Sequence, residues 1–193
     1  MFNFDPARAS GTFTTISVID HGQLPPHSHL DFSSLYTTGV VRVVADQTPI
    51  EQWRLAWFGD AANSGDGADM NDFDHDGTPN LLEYAFGMNP KSPGRAGLPI
   101  PGRVTVNGND YLTLAVTRPL TATDVSYRFL VGATPVTTAE GSLYAPAGDV
   151  PSNAFTTEVS RSTSNDLETI VVRDNNPISG NPCRFMRVKV ENP

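Results

Sequence analysis

The strongest constraint on the fold is an acidic stretch between Arg54 and Lys91, in which no lysine or arginine occurs. Blocks of like charge usually stay solvated and disordered. Here, however, glycines interrupt the block, and the apolar run LLEYAF of residues 81–86 follows directly. An acidic loop attached to an apolar element needs a counter-charge, and a bound cation would supply one. Seven carboxylates lie in this stretch: Asp60, Asp66, Asp69, Asp72, Asp74, Asp76 and Glu83.

Residues 72–83, with the sequence DFDHDGTPNLLE, match the calcium-binding loop of an EF-hand at every coordinating position. Alternate carboxylates on a tightening loop can all turn inward, and Gly77 permits the sharp bend at the sixth position. The predicted metal ligands are the carboxylates of Asp72, Asp74 and Asp76, the backbone carbonyl of Thr78, Asn80 (through its amide oxygen or a water) and both carboxylate oxygens of Glu83.

This donor set favours Ca²⁺, a hard cation that takes six to eight oxygen ligands. Mg²⁺ is disfavoured because it dehydrates reluctantly, and Zn²⁺ because the donors are mostly oxygens. His75 lies between two ligands and is predicted to face solvent. The alternative interpretation is a solvated acidic turn that only caps the helix beginning at Pro79.

The loop is predicted to act alone. Paired EF-hand loops usually connect through a short β-bridge at position eight, where this chain has Pro79, which lacks an amide hydrogen. No second DxDxDG sequence occurs, and the preceding helix lies too far upstream for an ordinary EF-hand. We therefore expect a structural site rather than a sensor that opens on binding. Its affinity should be near, or somewhat tighter than, the roughly 10⁻⁴–10⁻³ M of extracellular calcium modules.

The surrounding sequence predicts a mostly β fold. Period-two alternation indicates strands around residues 13–18 and 41–44, and again between residues 102 and 191. Helical spacing of Ile50, Trp53 and Trp57 predicts a short helix over residues 48–59, and a second helix is expected from Pro79 to Phe86. The predicted organisation is an N-terminal β segment (1–47), a helix–loop–helix calcium segment (48–90), a linker (91–101) and a C-terminal antiparallel β-sandwich (102–193).

Composition and charge exclude several classes of protein. The net charge of −8 disfavours partners such as nucleic acid or anionic membrane. No apolar run approaches the roughly 18 residues of a membrane span, and no secretory signal follows Met1. Because the chain opens close to a predicted strand, we expect a fragment or the mature tail of a longer precursor. Hydrolase, metalloprotease, P-loop and dinucleotide motifs are all missing from the sequence, so no catalytic activity is predicted.

Other chemistry-bearing residues receive structural interpretations. Cys183, the only cysteine, excludes an internal disulfide and is predicted to be buried beside a strand. Trp53 and Trp57, one helical turn apart, are expected to pack into a core rather than bind sugar. A polar hairpin loop is the interpretation preferred over a transition-metal site for three histidines, His21, His27 and His29.

The segment DFDHDGTPNLLEYAFGMNP (residues 72–90) resembles the "DxDGDGxxNLLEYALGxDP" segment of large secreted and surface proteins of Verrucomicrobia and related bacteria. That segment is akin to thrombospondin type 3 and dockerin calcium loops. Residues 30–46, 51–60, 111–131 and 168–190 are similar to the β repeats, aromatic helix and terminal β-sandwich that flank it. The resemblance implies a C-terminal module of an extracellular or cell-surface protein, with calcium held by Asp72, Asp74, Asp76, Asn80 and Glu83.

Two functions are compatible with these features. The first is a non-catalytic, calcium-binding structural module that spaces or presents the rest of an exported protein. The alternative is a module that binds polysaccharide, protein or another cell-surface component through the sandwich, with exposed aromatics such as Tyr144 as contacts.

Overall fold

The computed structural model of the chain describes residues 28–136, 138–180 and 183–192. Within these residues the fold is mostly β, as predicted, with three antiparallel sheets and a few short helices. The chain divides into two compact units, Met1–Thr48 and Pro49–Pro193. The predicted strand at residues 13–18 and the residues His21 and His27 lie outside the described part of the chain.

The described part of the first unit is a two-stranded sheet. Strand β1 (Ser28–Asp31) pairs antiparallel with β2 (Arg42–Ala45), and a single helical turn, α1 (Leu35–Thr38), lies between them in the chain. Helix α1 ends at Gly39, which has a left-handed φ of 72°. His29, predicted to lie in a loop, belongs to β1, and its Nδ1 lies 2.6 Å from Asp46 Oδ1.

Both predicted helices are present in the second unit. Helix α2 (Pro49–Phe58) begins with proline, whose missing N–H is no loss in a first turn, and stops at Gly59 with φ 80°. Helix α3 (Asn80–Phe86) ends at Gly87, which is left-handed with φ 66°. A 3₁₀ turn, Gly65–Gly67, lies between them.

Among the described residues, seven strands form the two remaining sheets. They are β3 (Ile100–Val106), β4 (Asn109–Pro119), β5 (Ser126–Gly132), β6 (Ala139–Tyr144), β7 (Thr156–Ser164), β8 (Leu167–Asp174) and β9 (Phe185–Glu191). The strand order is β3-β4-β8-β7 in one sheet and β6-β5-β9 in the other, with every pairing antiparallel.

One apolar cluster joins the helices and the two sheets. Strand residues such as Val116, Phe129 and Val172 are buried in the same cluster as Tyr84 and Phe86 of α3. Trp53 packs against this cluster as a partly buried residue, in agreement with its prediction as a core side chain. The site described below is therefore carried by a helix that forms part of the core.

Strand β8 and helix α2 each have one buried face. Strand β8 buries Ile170 and Val172, whereas Leu167 is exposed. On α2, Ala56 is exposed and Arg54 is buried, because Arg54 turns inward to pair with Asp69.

The prediction that Cys183 is buried is wrong: this residue is exposed, because it precedes β9 instead of packing within the sheet. Along the described part of the chain, none of the helices has the length and apolarity needed to cross a membrane.

Candidate metal centre

Three aspartates of the acidic loop converge. Asp72, Asp74 and Asp76 each place a carboxylate oxygen within 4.8 Å of the others. The loop winds around these groups: Asp72 accepts the N–H of Asp76 at 3.2 Å and the N–H of Gly77 at 2.9 Å. Gly77 has φ 92°, a left-handed value that glycine adopts without steric cost, so the predicted reason for its presence is confirmed. His75 is exposed, as predicted.

Glu83, the last of the predicted ligands, lies in α3 and is almost fully buried, with 1% of its surface exposed. Neither of its carboxylate oxygens accepts a hydrogen bond from any described residue. Burial, followed by the nearby charges of Asp74, Asp76 and Asp72, raises the pKa of Glu83 to about 7. A buried carboxylate without a donor or cation is energetically costly.

Asn80 is also 1% exposed and uses only one end of its amide. Its Nδ2 donates to the carbonyl oxygens of Asp66, at 2.8 Å, and Ala68, at 2.9 Å. The other end, Oδ1, has no partner among the described residues, and Asp74 Oδ2 is in the same position. Four acceptor atoms of the loop are thus buried without a donor: Asp74 Oδ2, Asn80 Oδ1, Glu83 Oε1 and Glu83 Oε2.

Asp76 connects the loop to the segment predicted as a linker. Its Oδ1 accepts the N–H of Thr78 at 2.7 Å, and its Oδ2 accepts the N–H of Gly94 at 2.9 Å. The hydrogen bond from Gly94 is the largest cause that lowers the pKa of Asp76. Thr78 is buried, with 5% of its surface exposed. The linker prediction did not anticipate this contact, since a backbone N–H leaves no mark in a sequence.

Aromatic rings line the side of the loop that faces α2. Phe73, between the first two aspartates, lies edge-on to Phe58 with ring centroids 5.6 Å apart. Phe58 in turn contacts Trp53 at 5.7 Å, and Trp53 contacts Tyr84 at 5.6 Å. Lys91 Nζ lies 5.5 Å from the Phe58 ring centroid and 5.7 Å from that of Phe73. The loop is therefore packed against two helices and the start of the linker.

The donor atoms assembled here are all oxygens, which is the chemistry that hard cations prefer. Of the five predicted side-chain ligands, the described residues bring together the carboxylates of Asp72, Asp74 and Asp76, and this group does not include Glu83. Buried acceptors that lack a protein donor are contributed by Asp74, Asn80 and Glu83. The residues that sequence reasoning missed are Gly94 and the turn that carries Asp66 and Ala68, because their contribution is made by backbone atoms.

The aromatic residue named for the alternative function is not exposed. Tyr144 is fully buried, and its hydroxyl donates to Glu158 Oε2 at 2.7 Å. The prediction of Tyr144 as a surface contact is wrong because β6 turns this side chain toward the core, against Phe129.

Comparison with known proteins gives no relative from which function could be transferred. The chain matches no protein-family model, no curated protein and no solved structure among those searched.

Proposed function

We propose that the chain is a non-catalytic calcium-binding structural module of a secreted or cell-surface bacterial protein. The observation that carries this proposal is the buried Glu83 carboxylate, which has no protein donor and faces the electrostatic influence of three aspartates. Removing a carboxylate from water without a compensating partner costs several kcal/mol in order-of-magnitude terms. A divalent cation at the centre of the loop offsets that cost.

Calcium fits the donors better than its competitors. The four buried acceptors without donors, together with the outer oxygens of Asp72 and Asp76, approach the six to eight oxygens that Ca²⁺ accepts. Mg²⁺ keeps several waters and demands near-ideal octahedral geometry, which a site built from protein oxygens rarely meets. No nitrogen or sulfur donor is present among the predicted ligands, which disfavours Zn²⁺.

The ion would act as a staple between the loop and the core. Glu83 belongs to α3, and the neighbouring residues of that helix bond to the sandwich: Tyr84 OH donates to Asp124 Oδ1 at 2.5 Å, and Tyr127 OH donates to the Ala85 carbonyl at 2.7 Å. A cation bound by Glu83 and the aspartates would therefore fix the acidic loop to the helix that the sandwich already holds. This is a structural role rather than a catalytic one.

A location outside the cell is part of the proposal. Extracellular calcium modules bind in roughly the 10⁻⁴–10⁻³ M range, where the ion is abundant outside cells. The similarity of residues 72–90 to calcium loops of bacterial surface proteins supports the same location.

Calorimetric titration of calcium into the metal-stripped protein tests the proposal. We expect one binding event and a rise in melting temperature, because an ion that binds only the native state adds about 2.7 kcal/mol at one hundred times Kd. Asp72→Ala should remove both effects. Asp60→Ala, the same change at an exposed aspartate outside the loop, is the matched control and should keep them. An absence of heat and of thermal stabilisation at millimolar calcium would refute the proposal.

The alternative is a module that binds carbohydrate or protein through the sandwich. Tyr144, the aromatic residue named as its contact, is buried and is not available to a ligand. A pull-down on insoluble polysaccharides tests the alternative. Retention that disappears on substitution of one exposed aromatic side chain would favour this alternative.

A further inference from the structure

Asn80 is held from outside the loop. Both hydrogens of its side-chain amide have a backbone acceptor, the carbonyls of Asp66 and Ala68, so the amide group is fixed in rotation. The oxygen at its opposite end is buried and has no partner among the described residues. An amide oriented in this way presents its oxygen directly, whereas the ninth position of an EF-hand loop often acts through a water.

The turn that carries these carbonyls, residues 63–69, is itself firmly held. Asp69 accepts from Arg54 Nη2 at 2.5 Å and from Asn63 Nδ2 at 3.0 Å, and its N–H donates to Asn63 Oδ1 at 2.8 Å. Its carbonyl accepts the N–H of Leu81 at 3.0 Å. Arg54 is only 3% exposed, so the ion pair that anchors the turn to α2 is shielded from water.

We propose that the turn at residues 63–69 is an integral part of the calcium site, which presets Asn80 as a direct oxygen ligand, and that Arg54 is a positioning residue that acts through Asp69. The inference rests on the proposed function, since it assigns a role to residues around that same site. In an ordinary EF-hand an entering helix supports the loop; here the turn takes that place. Neither Arg54 nor Asp69 needs to touch the ion.

For one substitution, the proposal predicts a change in calcium affinity opposite to the change that charge alone would cause. Asn80→Asp adds a negative charge beside a cation, and long-range electrostatics alone would tighten calcium binding. With the turn in place, the new carboxylate meets the two carbonyl oxygens that the amide hydrogens now satisfy, and it can donate to neither. We expect the calcium Kd of Asn80→Asp to rise by about tenfold or more, in the range typical for lost supporting contacts around a metal site.

Arg54→Gln is a second substitution for which charge and positioning predict opposite changes in calcium affinity. Removal of a positive charge near the site should tighten calcium binding through electrostatics, whereas loss of the anchor should weaken it by about tenfold. Arg95→Gln is the matched control: Arg95 is exposed and its charge acts on Asp76, but no described hydrogen bond connects its side chain to the turn. This control should bind calcium as tightly as the wild type or tighter.

The outcomes separate the two proposals. If the wild-type chain binds no calcium, the proposed function fails. If the wild type binds but Asn80→Asp and Arg54→Gln bind as tightly or tighter, the role of the turn is refuted and the function stands. If the variants do not fold, the wild-type protein still tests the proposal. NMR of the metal-free full chain should show slow hydrogen exchange at the Asn80 side-chain amide, because its hydrogens are bonded to the Asp66 and Ala68 carbonyls. Rapid exchange of these hydrogens would overturn the proposal.

Discussion

Glu83 has an environment that stabilises its neutral form in the metal-free protein. It is buried, and its carboxylate oxygens have no donor among the described residues. The same environment suits a carboxylate once a divalent cation is present, because the ion supplies the missing positive charge. At the proposed calcium site the group would therefore oppose folding without metal and support it with metal, and substitutions at this residue should have opposite effects in the two conditions.

The neutral isostere Glu83→Gln should separate these effects. In chelator its melting temperature should equal or exceed that of the wild type, because no buried charge remains to be accommodated. In calcium it should fall below the wild type, by the stabilisation that the ion gives the native protein, about 2.7 kcal/mol at one hundred times Kd. Paired thermal melts in chelator and in calcium measure both. A variant that ranks the same way in both solutions would contradict the assignment of Glu83 as a ligand.

The raised pKa of Glu83, to about 7, also predicts the pH dependence of the metal-free protein. Between the ordinary carboxylate pKa and 7, the folded state holds a proton that the unfolded state has lost, so stability falls as pH rises, by up to about 1.4 kcal/mol per unit. Asp76 and Glu158 have lowered pKa values and titrate below this window.

Denaturant titrations of the wild type and Glu83→Gln in chelator, between pH 5 and 7, test this dependence. The wild type should lose stability relative to the variant as pH rises. Parallel curves would show that Glu83 does not titrate in this window.

At the level of single residues, the convergence of the three aspartates could be predicted because the pattern is local to twelve consecutive residues, whereas their role as metal ligands stays a prediction. The three aspartates, Gly77 and His75 lie as expected for that reason. Burial could not be predicted so well. Tyr144 was expected to be exposed but is buried, and Cys183 was expected to be buried but is exposed. An isolated aromatic or thiol in a weakly patterned segment carries no periodic signal of its burial.

At the level of elements, the loop, α2, α3 and the linker form one packed assembly. The Asp76–Gly94 hydrogen bond and the position of Lys91 over Phe58 and Phe73 bring the linker against the loop. Proline- and glycine-rich composition predicted a linker over residues 91–101, but its last two residues already belong to β3, and composition could not predict its attachment to the loop. Likewise, period-two alternation predicted strands between residues 102 and 191, but both faces of β8 carry apolar residues, so the period alone could not identify its buried face.

Strands β6 and β7 pack closely against each other at Gly141 and Thr156. Ser142 N–H donates to Thr156 Oγ1 at 2.6 Å, and a Cβ on Gly141 would lie 2.5 Å from atoms of Thr156. We expect Gly141→Ala to destabilise the protein by about 1–3 kcal/mol through overpacking. Urea denaturation measures this cost. Gly94→Ala is the control, since its Cβ would meet nothing closer than 3.8 Å, and an equal loss in both variants would contradict the steric explanation.

At the level of the whole molecule, the predicted division at residues 91–101 awaits a direct test. Core residues of α2 and α3 share one apolar cluster with the sandwich strands. We expect a fragment of residues 49–193 to unfold cooperatively and to gain stability from calcium. A fragment of residues 102–193 should be much less stable, because it lacks Phe86 against Tyr127 and the Ala85 carbonyl that accepts the Tyr127 hydroxyl.

Circular dichroism melts of the two fragments make this comparison. Equal stability of both would show that the sandwich folds independently of the helices and would support the division predicted from sequence.

The ring contacts from Phe73 through Phe58 to Trp53 make tryptophan fluorescence a signal for the conformation of the acidic loop. Phe73 sits between two proposed ligands, so any rearrangement of the loop during metal uptake would be passed by direct ring contact to an indole. In a Trp57→Phe background the emission would come from Trp53 alone. Its intensity or wavelength should then trace the saturation curve without any added dye, and the same signal would reveal how fast the ion enters and leaves.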